Sequence, residues 1–585
     1  MRLTAIIIGF FLICVNGYIH CQSLENPIVI DGIISDKNTN KTLAYANVSA
    51  IQSNNGTASN MNGYFKLENI AASDTIVISY IGYEKLYITG KDWNVKKYYL
   101  VPKSELLFET SVYSNNDFLY EKFIILKKHK HRENSIAKTY FYLNTIISDS
   151  IVELIEAFYN GEFKGYDTKD LYFENAQIAV KPYKCESEKY YFISSETSKL
   201  FSKYSLFSKN ENFPRNPFEL NFSQLKKYYD LKLLSVYKDN GSKIYEISFI
   251  PQRDKNMFFE GVAWIDITKN YLQKVDFVIK NSHKVPFLTF GNINKIHSID
   301  IFLSKTFKLE QGDVRLSSMN YDIEMIYENF NGYKYSPRIH TYIKPFDYSN
   351  TFEPTLFDFG QTLHEDYRNA SITSDDDFFW SNREFYINTK TKDNVEFIKK
   401  YKIASSHQDF DFSKSWYKNG LIQYSFIEWD ETRFVIHQEK IFEEKNPNLS
   451  EEFNSDKYNF NTKLYLDYNI IHDSVYCITK SILDPINTYY HFNIDNVTLV
   501  FFNIYWDLLE IERRELIKSI NALEQIDYVL VKQLYYKSVE KYKSATKLYL
   551  KETQRGKDLF YLKKWNDYVY ENLKINNFDY FNVAF

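Results

Sequence analysis

Residues 231–250 read LKLLSVYKDNGSKIYEISFI: two strand-like runs, Leu231–Tyr237 and Lys243–Ile250, around Asp239-Asn240-Gly241. Asn and Gly tolerate positive φ, so these three residues mark a hairpin turn. The arrangement recurs twice downstream. Phe258–Ile267 and Tyr271–Ile279 flank Thr268-Lys269-Asn270, and Met319–Tyr327 and Tyr333–Ile343 flank Asn331-Gly332. Consecutive hairpins build an antiparallel meander, so an antiparallel sheet is expected in the middle of the chain, about residues 110–390.

Composition narrows the class. The chain has 585 residues, with 71 Lys and Arg against 75 Asp and Glu, a net charge of −4. That near-balance argues against a nucleic-acid partner, which calls for a clear positive excess. Aromatic residues make up 18% (Tyr 51, Phe 47, Trp 7), which excludes a disordered chain. Gly (17) and Pro (12) are too scarce for collagen-like or low-complexity sequence. The Tyr and Phe surplus suits sheet faces, and equally fits an AT-rich genome.

The run Ala5–Val15 (AIIIGFFLICV) after Arg2 is too short to span a bilayer and fits the apolar part of a secretory signal. Residues 1–21 are read as a signal peptide, cleaved after Gly17 or Cys21. Lipidation at Cys21 needs small residues before it, and Tyr18-Ile19-His20 does not supply them. No later stretch has 18 uninterrupted apolar residues, so no transmembrane helix is expected. Cys185 and Cys477 are too few for a disulfide framework, and no CxxC metal motif exists.

Residues 26–103 alternate short apolar segments with turn signals. Ile28–Ser35, Leu43–Ile51, Tyr64–Leu67, Thr75–Ile81 and Lys85–Thr89 read as strands, and Asn54-Asn55-Gly56 and Asn60-Met61-Asn62-Gly63 as turns. This predicts a small β-sandwich. The order of Asp31-Gly32-Ile33-Ile34-Ser35-Asp36, Leu43-Ala44-Tyr45-Ala46-Asn47-Val48, Gly63-Tyr64-Phe65 and Ser79-Tyr80-Ile81-Gly82-Tyr83 resembles the carboxypeptidase regulatory-like domain of Bacteroidetes envelope proteins, as at the N-termini of TonB-dependent receptors. That resemblance implies a non-catalytic, seven-stranded sandwich. A metallocarboxypeptidase needs an HxxE pair, and none of the eleven histidines has Glu three residues on.

In the middle region, Tyr245–Phe249, Glu260–Asp266 and Lys274–Phe277 resemble the curved half-barrel of periplasmic lipoprotein carriers. They also resemble the region after the regulatory-like domain in a Bacteroidetes outer-membrane family, where a segment like Ser150–Ala157 comes first and one like Asp375–Trp380 last. A curved sheet with an apolar concave face can hold a lipid or acyl chain, or its aromatic strands can simply be core. The basic run Lys127–Arg132, with His129 and His131, is read as a solvated helix end or loop; the other reading is a headgroup patch. Asp375–Asp377 lacks calcium-loop spacing and is read as an acidic turn. His364-Glu365-Asp366 is read as surface.

The C-terminal region, about 400–585, begins with strand-like Leu464–Ile470 and Ser474–Ile482. From Tyr505 to Arg555 there is no Gly or Pro, and Leu509, Leu516, Ile520, Leu523, Leu530 and Leu534 form one helical stripe. A last helix is expected over Leu562–Leu573, and Phe581–Phe585 as an edge strand. The landmarks Trp429-Asp430, Asp484-Pro485, Leu499–Asp507, Glu510-Ile511, Arg514, Tyr549, Glu552-Thr553, Gly556 and Trp565 resemble a family of secreted zinc peptidases of uncharacterised function. In that family an HExxH helix is followed by a Glu-Thr-x-His-Gly motif.

HExxH places two His nitrogens on one helical face for Zn²⁺, with the Glu as base. Here the first His position is Phe501, the Glu is Phe502, the second His is Tyr505 and the third His is Arg555. Phenylalanine has no lone pair, arginine stays cationic, and tyrosine ligates only as phenolate. The resemblance therefore implies a pseudoenzyme: no catalytic residue, no metal, no cofactor. GxSxG, GxxxxGK[ST] and GxGxxG are absent as well.

The expected fold class is multidomain α+β: an N-terminal β-sandwich (26–103), a curved antiparallel half-barrel-like domain (110–390) and a C-terminal helix-rich α+β module (400–585). The expected function is non-catalytic binding or scaffolding in the periplasm or at the outer membrane, with an envelope protein or a lipid as partner. A carrier of an apolar ligand is the second reading. A hydrolase with an unrecognised site is the third, with His129, His131, His437, His472 and His491 the first ligand candidates.

Overall fold

A computed structural model describes residues 28–52, 55–60, 62–89, 95–103, 117–128, 134–185, 188–190, 192–239, 241–287, 295–329, 331–357, 365–374, 379–380, 392–403, 426–434, 458–471, 474–484, 488–490 and 495–584. The signal-peptide reading, His129, His131, His364, Asp375–Asp377, His437, His472 and His491 lie outside these residues. The class is α+β, as expected. The described residues up to Pro102 form one compact unit, and those of Lys103–Phe385 and Asp393–Phe585 a second.

The first unit is built of two sheets. One has the order β4-β1-β7, from β1 (Ile28–Asp36), β4 (Tyr64–Ile70) and β7 (Lys97–Leu100). The other is β3-β2-β5-β6, from β2 (Asn47–Ala50), β3 (Asn55–Ala58), β5 (Ile76–Ser79) and β6 (Leu86–Ile88). Alternate residues such as Ile30, Ile34, Val48, Phe65, Ile76 and Ile78 are buried between them. One expected turn is a strand instead. Asn55 and Gly56 sit in β3, where the buried Asn55 amide donates to the Glu68 carbonyl at 2.8 Å. An Asn with an internal acceptor no longer favours a turn.

The second unit is organised by one large antiparallel sheet. Its strands are β8 (Asn134–Ile147), β9 (Ser150–Lys164), β10 (Asp167–Val180), β13 (Tyr229–Asp239), β14 (Ser242–Pro251), β15 (Glu260–Asp266), β16 (Tyr271–Ile279), β17 (Lys295–Glu310), β18 (Asp313–Glu328) and β20 (Arg338–Asp347). The order is β10-β9-β8-β20-β18-β17-β16-β15-β14-β13, with the short β19 (Lys334–Tyr335) on β18. A separate ribbon pairs β11 (Tyr183–Cys185) with β12 (Glu188–Tyr190). All three expected hairpins are present. The meander closes non-locally: β20 pairs with β8, with Tyr342 opposite Tyr142. Register shifts such as Phe173/Asn175 and Thr306/Phe307 are the bulges that bend such strands.

One face of this sheet is filled by the chain itself. Helices α1 (Asp117–Lys128), α2 (Ser195–Ser202) and α3 (Phe222–Tyr228) lie against it. Phe123 stacks on Phe218 at 4.9 Å, Phe218 meets Phe249 and Phe277, and Phe201 stacks on Tyr321 at 5.0 Å. The opposite face is covered too. Phe158 packs on Phe346, Phe352, Phe379 and Trp380, and α5 (Lys392–Tyr401) places Asn394 on the Tyr142 hydroxyl. Helix α4 (Glu365–Thr373) caps the β10 edge, Thr373 exchanging hydrogen bonds with the Ala176 backbone. With both faces covered, β9 is buried almost continuously and shows no alternation.

The helix-rich part starts with the sheet β21-β24-β23, from β21 (Ile427–Glu428), β23 (Thr462–Ile471) and β24 (Ser474–Leu483), and a ribbon of β22 (Tyr458–Asn459) and β25 (Tyr489–Tyr490). Then come α6 (Asn496–Asn521), α7 (Tyr528–Glu552), α8 (Leu559–Leu573) and α9 (Asn577–Tyr580). Asp495, Asp527, Asp558 and Asn576 cap them by accepting backbone N–H groups. The single expected stripe breaks here. Residues 522–527 separate α6 from α7 without Gly or Pro, because Asp527 starts a new helix, and Leu530 is exposed. Nor is the C-terminus an edge strand. Phe581 follows α9 in a turn, Asn582 has φ of 52°, and the Val583 N–H closes back on the Phe578 carbonyl.

Candidate functional site

Helix α6 is buried around most of its circumference from Leu499 to Ile511, as befits a helix at the centre of its module. It carries three of the four positions singled out in the sequence. Phe501 stacks on Tyr549 of α7 at 5.3 Å, and the Tyr549 hydroxyl donates to the Phe501 carbonyl at 2.9 Å. Phe502 stacks on Phe460 at 4.9 Å. Tyr505 meets Phe460 and Tyr542 edge-on, and burial pushes its phenol above the ordinary tyrosine value, against hydrogen bonds with Tyr542 and Thr546. The end of α7 closes on the same turn. Gln554, Arg555 and Gly556 are all left-handed (φ 48°, 60° and 85°). A Cβ at Gly556 would stand 3.0 Å from Phe501 Cγ. Arg555 itself is exposed.

These residues do not fit a zinc ion. The space beside Phe501 and Phe502 is closed by stacked rings, neither residue offers a lone pair, and Arg555 is cationic. The arrangement serves packing: α6, α7 and α8 meet through Phe501, Tyr549 and Trp565, whose Nε1 donates to Glu552 at 2.9 Å.

Half a turn further along α6, Asp507, the last residue of the Leu499–Asp507 landmark, is a buried charge whose partners only the fold brings together. Asp507 accepts from Trp429 Nε1 at 2.8 Å, from Arg433 Nη1 at 2.7 Å and from Asn577 Nδ2 at 2.8 Å. Arg433 also donates to the carbonyls of Asp430 and Glu431. Asn503 clamps Phe434 through both backbone groups, at 2.8 Å each. Every charge here is spoken for, so the network joins segment 429–434 to α6 and α9. In the sequence Asp507 stands beside Glu510 in the otherwise apolar stretch 504–511, with nothing to tie it to Arg433 or Asn577.

Further buried carboxylates tie the large sheet to its surroundings. Glu153 accepts from Thr145 and from the hydroxyl and backbone N–H of Ser194, and it also bonds to Tyr367. Burial pushes its carboxyl up, against those hydrogen bonds. Glu174 of β10 accepts from Asn160 at 2.7 Å, while Asp467 of β23 accepts from Asn175 at 3.0 Å and Asn469 at 2.7 Å. Burial, with the Asp467 charge added, drives the Glu174 carboxyl well above the usual range. Asp366 is likewise no surface residue: it is buried, accepts from the Tyr159 hydroxyl at 2.8 Å and pairs with Lys199. Cys477 is a free thiol, pushed up to about 11 by burial.

Residues 30–112 match the family described as CarboxypepD_reg-like domain, and residues 223–336 match a family of unknown function (DUF5686). The first agrees with the resemblance read from the sequence. No curated protein matches the chain. Among solved structures, a LolA superfamily protein from Nitrosomonas europaea is 11% identical, with 39% of this chain and 93% of that one covered and a TM-score of 0.14. The MucA/MucB complex of Pseudomonas aeruginosa gives 9% identity, 38% and 92% coverage, and a TM-score of 0.14. At such scores these likenesses set neither fold nor function. Among the described residues no helix is long and apolar enough to cross a membrane, which says nothing of strands.

Proposed function

We propose that this is a non-catalytic protein of a Bacteroidetes-type cell envelope, exported by a signal peptide at residues 1–21, that binds or scaffolds another envelope component. Its C-terminal module is read as a zinc-peptidase scaffold without its chemistry. The observation that carries the reading is the stacking of Phe501 on Tyr549 and Phe502 on Phe460 where ligands and base would stand. The regulatory-like match over residues 30–112 supports an accessory role. The domain reading is kept with it: sandwich 26–103, half-barrel 110–390, peptidase-like module 400–585.

The carrier reading has less support, because Phe123, Phe201 and Phe218 occupy the face where an acyl chain would lie. It requires α1–α3 to lift away.

The test is metal content of the purified chain after zinc exposure and dialysis, with a peptidase and esterase screen and lipid extraction alongside. Less than about a tenth of an equivalent of zinc and no turnover is the expected result, since a three-ligand protein site retains its ion. One tightly held equivalent, or turnover, overturns the non-catalytic reading. Stoichiometric lipid moves the carrier reading to the front.

A further inference from the structure

Helices α7 and α8 are joined by a tight turn that carries exposed apolar residues into α8. Leu559 and Phe560 open α8 at 40% and 67% exposure; Phe560 is the most exposed large apolar side chain among the described residues. Two residues on, Leu562 is fully buried. The mount is rigid. Asp558 caps α8 through the Tyr561 N–H at 3.2 Å, Gly556 sits against Phe501, and Trp565 packs on Tyr549.

Charge surrounds this tip unevenly. Residues 547–567 hold six Lys and Arg against three Asp and Glu, a net +3 in a chain whose net charge is −4. Lys551, Arg555, Lys557, Lys563 and Lys564 lie within nine residues of Phe560. Of the nearby acids, Glu552 holds Trp565 and Asp558 caps α8, while the exposed Asp567 pairs with Lys563. Lys564 lies over the Tyr561 ring at 5.7 Å. An apolar wedge on a fixed turn, with Arg555, Lys557, Lys563 and Lys564 within five residues of it on either side, is the chemistry of an interfacial membrane contact.

We propose that the α7–α8 turn is a peripheral docking tip for an anionic phospholipid surface, with Leu559 and Phe560 entering the headgroup region and Lys551, Arg555, Lys557 and Lys564 meeting lipid phosphates. This goes beyond the scaffolding role above and is tested separately from it.

The experiment is co-sedimentation of the full chain with vesicles of phosphatidylcholine alone and of phosphatidylcholine with phosphatidylglycerol in equal parts. Binding is expected only to the anionic vesicles, and it should fall steeply as salt shortens the Debye length. Phe560→Ser is expected to weaken it about tenfold, and Lys557→Glu or Lys564→Glu about fivefold or more each. All three sites are on the surface, so an unchanged melting temperature certifies the variants as folded. No binding, equal binding to neutral vesicles, or anionic binding untouched by Phe560→Ser combined with Lys557→Glu overturns the proposal. Self-association that Phe560→Ser abolishes, without vesicle binding, gives the surface to a second copy of the chain and overturns it as well.

Discussion

The indole of Trp429 donates to the carboxylate of Asp507 at 2.8 Å, across 78 residues of chain. Both were sequence landmarks of one resemblance, and in the fold they are neighbours in a buried network with Arg433 and Asn577. A pair of charges this deep is stable only while both partners remain.

Asp507→Ala therefore strands the Arg433 guanidinium. The expected cost is about 3–5 kcal/mol, read from the urea midpoint of the second unit. Replacing both, as Asp507→Leu with Arg433→Met, should recover most of that loss. A double variant no better than the single would show that the network does more than balance charge.

Gly556 has φ of 85° and faces the Phe501 ring. Gly556→Ala should destabilise by about 1–3 kcal/mol, from left-handed strain and the clash with Phe501. Phe501→Ala should cost about 3–5 kcal/mol as a cavity mutation. Thermal melts compare the two; a neutral Phe501→Ala would mean that the ring fills no needed space.

Burial and Asp467 raise the Glu174 carboxyl well above the ordinary 4.5. The folded state then binds a proton that the unfolded state has released. Glu174 thus supports folding fully below pH 4.5, and that support is lost as pH rises through the raised value. Melting temperature should decline over that window, and Glu174→Gln should flatten the decline and raise stability at neutral pH. An unchanged profile would remove Glu174 as its source.

Phe218 touches Phe123, Phe249 and Phe277 in the filled face of the large sheet. Phe218→Ala should cost about 3–5 kcal/mol and open a void able to take a small apolar probe such as xenon, with no uptake expected of the native chain. Equal xenon uptake by the native protein would revive the carrier reading.

The hairpins around Asn240-Gly241 and Asn331-Gly332 were legible because turn chemistry is local. Strands β8 to β10 were not: with helices or loops on both faces, Ile151–Gly161 shows no period-two pattern. Nor could any single strand tell that Phe218 and Phe123 would fill its concave side. The break at 522–527 escaped because Asp527, rather than Gly or Pro, made it. In the helical module the substitutions at Phe501, Phe502 and Tyr505 were plain in sequence, whereas Arg433 and Asp507, 74 residues apart, could meet only in the fold.

The pairing of β20 with β8 also sets a timetable. Nearly 200 residues separate the partners Tyr142 and Tyr342, so loop closure must come before any gain from their pairing. On a chain emerging from its N-terminal end, β8 waits with a bare edge until Arg338–Asp347 has been made. Throughout that interval the strand edge and the apolar residues Ala137, Phe141 and Leu143 are open to wrong partners. A holdase or a slow, late-completing folding phase is the natural companion of such a sheet.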